Sequence, residues 1–148
     1  MVFAYKLFVL FIQNALPILG IFIKKGKLKL FIEGQKLRIP KEKLVKKGKR
    51  YWFHCASLGE FEQARPIIEQ LKQEDDSNSI VVSFFSPSGY TQKSNYPLAD
   101  FVFYLPLDTP KNARKYVHDI QADVVIFVKY EIWYFHLKEL LRTIHLYT

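Results

Sequence analysis

Residues 50–148 predict an α/β domain built on a parallel sheet of Rossmann-like topology. Three observations carry that reading: short continuous apolar runs, amphipathic stretches between them, and turn or capping residues at the joins. Strands that are apolar without alternation are buried on both faces, as in parallel sheets covered by helices.

The first strand is expected over residues 51–56 (YWFHCA). A helix follows over 60–72, where Phe61, Ala64, Ile67, Ile68 and Leu71 recur at helical spacing. Pro66 inside it predicts a kink or the true first turn. A polar turn at 75–79 (DDSNS) leads to a second strand over 80–85 (IVVSFF), and a third is expected over 101–105 (FVFYL). Asp108 and Thr109 before Pro110 predict a helix start, with Asp108 read as the cap. The fourth strand is expected over 123–128 (DVVIFV) and the next helix over 131–142. Residues 144–147 are apolar enough to open a fifth strand.

The remainder of the chain is different in kind. Residues 1–23 hold 18 apolar residues, interrupted by Lys6, Gln13, Asn14, Pro17 and Gly20. As a helix this segment reaches about 34 Å, enough for a bilayer core of about 30 Å. A signal peptide fits poorly, since neither a basic leader nor a small-residue cleavage site is present. The three polar side chains leave a tilted or half-buried anchor open beside a spanning one. Residues 24–50 then carry twelve Lys or Arg and two acids, a block charge of +10 in a chain of net charge +8. Such a block beside an apolar segment predicts a cytoplasmic position and attraction to anionic headgroups. The expected organisation is an anchor over 1–23, a basic juxtamembrane segment over 24–49, and one domain over 50–148.

Composition excludes other classes. With 49% apolar and 16% aromatic residues in 148, the chain is not disordered. Charge gathered in one block argues against a nucleic-acid-binding fold. A single cysteine, Cys55, rules out an internal disulfide, and no Cys/His spacing suggests zinc, so no metal is expected. Neither a G-x-G-x-x-G nor a P-loop is present, which leaves a dinucleotide or ATP cofactor without support.

In open parallel sheets ligands bind beyond the carboxyl ends of the strands. The loops expected there are 57–60, 86–90, 106–109 and 129–131. In the first, Gly59 permits a tight turn or a close ligand approach. Glu60 falls in the first helical turn, either as a general base or as a carboxylate that complements the helix dipole. Ser86, Ser88 and Gly89 could hold a phosphate or sugar hydroxyl on backbone N–H groups, or form a plain capped turn. Lys129 and Glu131 are a candidate ligand pair or a solvated ion pair. His54 and Cys55 read as packing residues, and His118, His136 and His145 show no partner pattern.

Residues 52–61 (WFHCASLGEF) resemble the H-x-x-S-x-G-E motif of 3-deoxy-D-manno-octulosonic acid (Kdo) transferases. The resemblance continues through 84–90 (FFSPSGY), 104–110 (YLPLDTP) and 129–133 (KYEIW), in the family's order and after an apolar N-terminal segment. It is closest to the form in Bacteroidetes-type Gram-negative bacteria. This resemblance implies an inverting glycosyltransferase of the two-domain GT-B type at the cytoplasmic face of the inner membrane. It would move Kdo from CMP-Kdo to the lipid A precursor, with no cofactor, in lipopolysaccharide biosynthesis. By the same resemblance Glu60 is the catalytic base, and Ser57, Gly59, Ser86, Ser88 and Gly89 lie beside the acceptor. Lys129 and Glu131 fall in the family's E-x-E-x-W region, where lysine replaces the first acid. The family's donor-binding half is expected to lie outside these 148 residues, so the chain alone is expected to be inactive. The rival readings are a membrane-tethered module that only binds lipid A and one that binds a partner protein.

Overall fold

The computed structural model describes residues 2–22, 26–35, 39, 42, 45, 47–129 and 133–143. Two helices come first, α1 (Val2–Phe22) and α2 (Lys27–Gly34). An alternating series follows: β1 (Arg50–Cys55), α3 (Leu58–Glu74), β2 (Ser79–Phe84), α4 (Pro87–Lys93), β3 (Phe101–Tyr104), α5 (Pro110–Ile120), β4 (Val124–Phe127) and α6 (Tyr134–Thr143). The strands form one parallel sheet in the order β3-β2-β1-β4. All four expected strands are present within a residue or two of their expected limits. The expected fifth strand and the start of the last helix, at 131, lie outside the described residues.

Helices cover both faces, as continuous apolar strands require. On one face Phe61, Ala64 and Ile68 of α3 pack on Phe53, Cys55, Val82 and Phe84. On the other, Tyr116, Val117 and Ile120 of α5 and Leu140 of α6 pack on Trp52, Val81 and Phe103. Pro66 sits inside α3, two turns beyond its start at Leu58 and not in its first turn, and the helix runs through it to Glu74. The amino edge is closed by Arg50, counted in the basic block but fully buried here. Its guanidinium donates to Ile120 O at 2.5 Å and Ser79 Oγ at 3.2 Å. Arg50 is therefore a structural residue, and Asp123 accepts from its backbone N–H at 2.7 Å.

Two features of the N-terminal region add to the expectation, which left a half-buried anchor open. First, α1 docks one stripe against the domain. Val9 and Leu16 are buried with Ile32 and Leu107, and Tyr5 and Ile12 pack beside them. The opposite stripe stays open, with Phe3 and Phe11 each 72% exposed and Leu7, Phe8 and Ile18 also exposed. Among the described residues no helix is long and apolar enough to cross a membrane. Second, the basic stretch contains α2, which sequence periodicity did not show. Alternating lysines mask its inward side, where Ile32 is buried and Gly34 lies so close to Tyr104 that a Cβ would meet the ring at 2.5 Å.

Candidate active site

Because every strand runs the same way, the loops after β1, β2, β3 and β4 share the carboxyl edge. The β1–α3 turn brings Ser57, Gly59 and Glu60 together. Ser57 is the cap of α3, its Oγ accepting from Glu60 N at 3.4 Å. Glu60 in turn reaches back, and its Oε2 accepts from Ala56 N at 2.5 Å. This is a capping box shifted by one residue. Glu60 is only 9% exposed, and its Oε1 takes no hydrogen bond from the described residues. One carboxylate oxygen is thus held in place while the other is left open among the described residues. The capping role and a role as base are compatible in this geometry.

The β2–α4 loop lies against that turn, joined by Ser86 N–H donating to Ala56 O at 2.8 Å. Ser86 Oγ and Ser88 Oγ are hydrogen-bonded to each other at 2.7 Å. The two glycines differ in what they are for. A Cβ on Gly89 would meet Phe84 Cδ1 at 2.4 Å, so Gly89 lets α4 pack on β2. A Cβ on Gly59 would meet nothing within 4 Å among the described residues, so none of them requires glycine there. Gly89→Ala should therefore cost about 1–3 kcal/mol of stability by overpacking. Gly59→Ala should be neutral or stabilising by up to about 1 kcal/mol, since alanine is the better helix former. Urea denaturation of the two variants checks the difference. If Gly59→Ala keeps stability but weakens acceptor binding, the open space belongs to a ligand.

Lys129 stands exposed beyond β4 with φ of 69°, in the left-handed region. Glu131 lies outside the described residues, so its expected pairing with Lys129 does too. His54 and Cys55 are buried packing residues. His54 Nδ1 lies 2.9 Å from Ser83 Oγ, which also accepts from Trp52 Nε1 at 2.8 Å. Burial, reinforced by the Glu60 charge, pushes the Cys55 thiol up to about 12, leaving it unreactive. No group of residues suited to a metal ion occurs among the described residues.

Asp108 is the residue whose place sequence reasoning missed. It does not cap α5; Thr109 does, its side chain accepting from Asn112 N at 3.2 Å. Asp108 instead caps α6, accepting from Phe135 N and His136 N at 3.0 Å each. Its carboxylate also bonds His136 Nδ1 at 2.7 Å and Tyr5 Oη of α1 at 2.8 Å. With 2% exposure it is an internal junction of α1, α6 and the carboxyl-edge loop. Burial alone would raise its pKa. The His136, Phe135 and Tyr5 hydrogen bonds, with the His136 charge, outweigh that and hold the carboxyl below its ordinary value. Tyr5 is correspondingly raised by burial and by Asp108, and stays a donor. His136 Nε2 is buried and has no hydrogen-bond partner among the described residues.

Residues 33–145 match the family described as 3-deoxy-D-manno-octulosonic-acid transferase (kdotransferase). Among curated relatives, the 3-deoxy-D-manno-octulosonic acid transferase of Chlamydia muridarum is 36% identical over 107 residues, covering 70% of this chain and 25% of the relative. The enzyme of that name from Aquifex aeolicus is 33% identical over 95 residues, 64% of this chain and 26% of its own. That from Haemophilus influenzae is 32% identical over 83 residues, 55% and 19%. The chain thus spans about a fifth to a quarter of the length of the relatives it matches. A family match over most of the chain, on an α/β fold that gathers the matching loops at one sheet edge, places this protein in the 3-deoxy-D-manno-octulosonic acid transferase family.

Proposed function

We propose that this chain forms the acceptor side of an inverting GT-B glycosyltransferase that moves Kdo from CMP-Kdo to the lipid A precursor. The observation that carries this reading is the Glu60 carboxylate at the carboxyl edge, one oxygen fixed by Ala56 N–H and the other bonded to none of the described residues, beside the open space at Gly59. In the reaction the acceptor hydroxyl oxygen attacks the anomeric carbon of Kdo. Its proton passes to Glu60, and CMP leaves with the bonding electron pair. Ser57, Ser86, Ser88 and the backbone around Gly89 would hold the acceptor sugar, with Lys129 at the rim; Glu131 is included on the family resemblance alone. CMP-Kdo is held by the part of such an enzyme outside the matched region.

The open stripe of α1 suits a seat in the membrane interface. Phe3, Leu7, Phe8, Phe11 and Ile18 would enter the acyl boundary while Tyr5, Val9, Ile12 and Leu16 stay docked. This seat would set the carboxyl edge beside the lipid acceptor, at the cytoplasmic face of the inner membrane.

The test joins this chain to the remaining C-terminal part of the Aquifex aeolicus relative and supplies radiolabelled CMP-Kdo with lipid A precursor. Label should pass to the precursor, and the isolated chain should show neither CMP-Kdo binding nor transfer. Clear turnover by the isolated chain would overturn the division of labour. A folded, donor-binding chimera that transfers nothing would overturn the activity.

A further inference from the structure

A cleft of about 230 Å³ opens between α1, α2 and α5, and no residue of the 57–60 turn lines it. Its floor is apolar, made by Leu16, Ile32 and Leu107. Gln13 of α1 stands on one side, and Lys111 and Lys115 of α5 stand on the other. At 3.6 residues per turn, Gln13 and Pro17 lie on the flank of α1 between its docked stripe and its open apolar stripe. Lys6 lies on that same flank, two turns nearer the N-terminus, and is exposed.

The charge on α5 is one-sided. Ala113, Tyr116, Val117 and Ile120 face the core. Lys111, Arg114, Lys115 and His118 share an adjoining groove of about 490 Å³ on the outer side. Asp119 is the one acid in that groove, and it pairs with Lys115, whose ammonium also lies 5.1 Å from the Tyr116 ring centroid. Lys111 makes no hydrogen bond or ion pair with the described residues. An apolar floor under a cationic rim, next to a helix stripe suited to acyl chains, matches one ligand chemistry.

We propose that this cleft takes the phosphate of an anionic phospholipid headgroup. Lys111 and Lys115 would pair with the phosphate, and the floor would cover the glycerol and first methylenes. The proposal rests on the interfacial seat of α1 and adds a discrete lipid site to it. Bound there, a lipid would fix how α1 and α5 sit on the surface, and so the height of the carboxyl edge above it.

Flotation of the full chain with vesicles of phosphatidylcholine, with or without phosphatidylglycerol, tests this. The parent should bind both and prefer the anionic vesicles. Each basic residue near an anionic surface contributes about fivefold in affinity, so Lys111→Gln/Lys115→Gln should lose about 30-fold on anionic vesicles and little on neutral ones. Lys47→Gln/Lys49→Gln removes the same charge from the basic block and should lose clearly less. Equal losses in the two double variants would make the attraction diffuse and overturn the cleft. Full retention by Lys111→Gln/Lys115→Gln would do the same while leaving the seat of α1 intact. A parent that binds neither vesicle would overturn the seat and the cleft together. Inorganic phosphate, at an ionic strength matched with chloride, should displace no more than chloride does. Specific displacement would assign the cleft to free phosphate and overturn the lipid site.

Discussion

Glu60→Gln in the chimeric enzyme should lower turnover at least ~100-fold while leaving the fold and both substrate affinities close to the parent's. A positioned base contributes about 10²–10⁴-fold, and the amide cannot take the acceptor proton. Glutamine still presents an oxygen to Ala56 N–H, the bond that Glu60 Oε2 makes at 2.5 Å, so most of the capping contact survives. Stability should fall by less than about 1 kcal/mol. Equal losses in kcat and kcat/KM would show that the missing interaction belongs to the transition state. Glu62→Gln is the control, because Glu62 points outward to Arg65 at 3.0 Å and Lys93 at 2.8 Å. It should behave like the parent. A Glu60→Gln enzyme that is less stable but turns over normally would reduce Glu60 to a helix cap.

Asp108→Ala should produce the largest loss of stability of any single change considered, about 3–5 kcal/mol. Four donors lose their acceptor at once: Tyr5 Oη, Phe135 N, His136 N and His136 Nδ1. All four are left inside the protein or at its margin, where water replaces the lost bonds poorly. The same junction predicts a pH dependence. The folded-state pKa of Asp108 lies below its ordinary value of 3.8, so its contribution is fully present above that value. It is lost as the pH falls from there through the folded pKa, because the unfolded chain then binds the proton more readily. Thermal unfolding between neutral pH and pH about 3 should show the parent losing stability in that acid window. Asp108→Asn, less stable at neutral pH, should lose less over the same window. Parallel curves for the two proteins would remove Asp108 from the acid response.

The β-strands were legible because burial on both faces leaves a run of apolar side chains that no other element of that length shows. Ser57, Gly59 and Glu60 were legible too, since a strand end, a cap and a first-turn acid are local features. The α2 helix was not. Its lysines at 27 and 29 read as part of a charge block, and only packing under Tyr104 reveals its inward side. Asp108 was misread for a related reason. A short acid before Thr-Pro satisfies the local rule for a cap, while its actual partners, Tyr5 and His136, are 103 and 28 residues away. Arg50 belongs to the same group, as a terminal lysine-block residue drawn inside to bond Ile120 O. Local rules fail where one buried polar side chain serves several elements at once, and such junctions are set by topology rather than by neighbouring residues.

The most direct test of the acceptor-side reading is hydrogen–deuterium exchange of this chain with and without the lipid A precursor in micelles. Residues 56–60 and 85–90 should gain protection together, since Ser86 N–H to Ala56 O already joins their backbones at one edge. Micelles without the precursor should protect α1 and leave those two loops unchanged. Protection confined to α1 in both samples, with exchange at 56–60 and 85–90 unaltered by the precursor, would contradict the account.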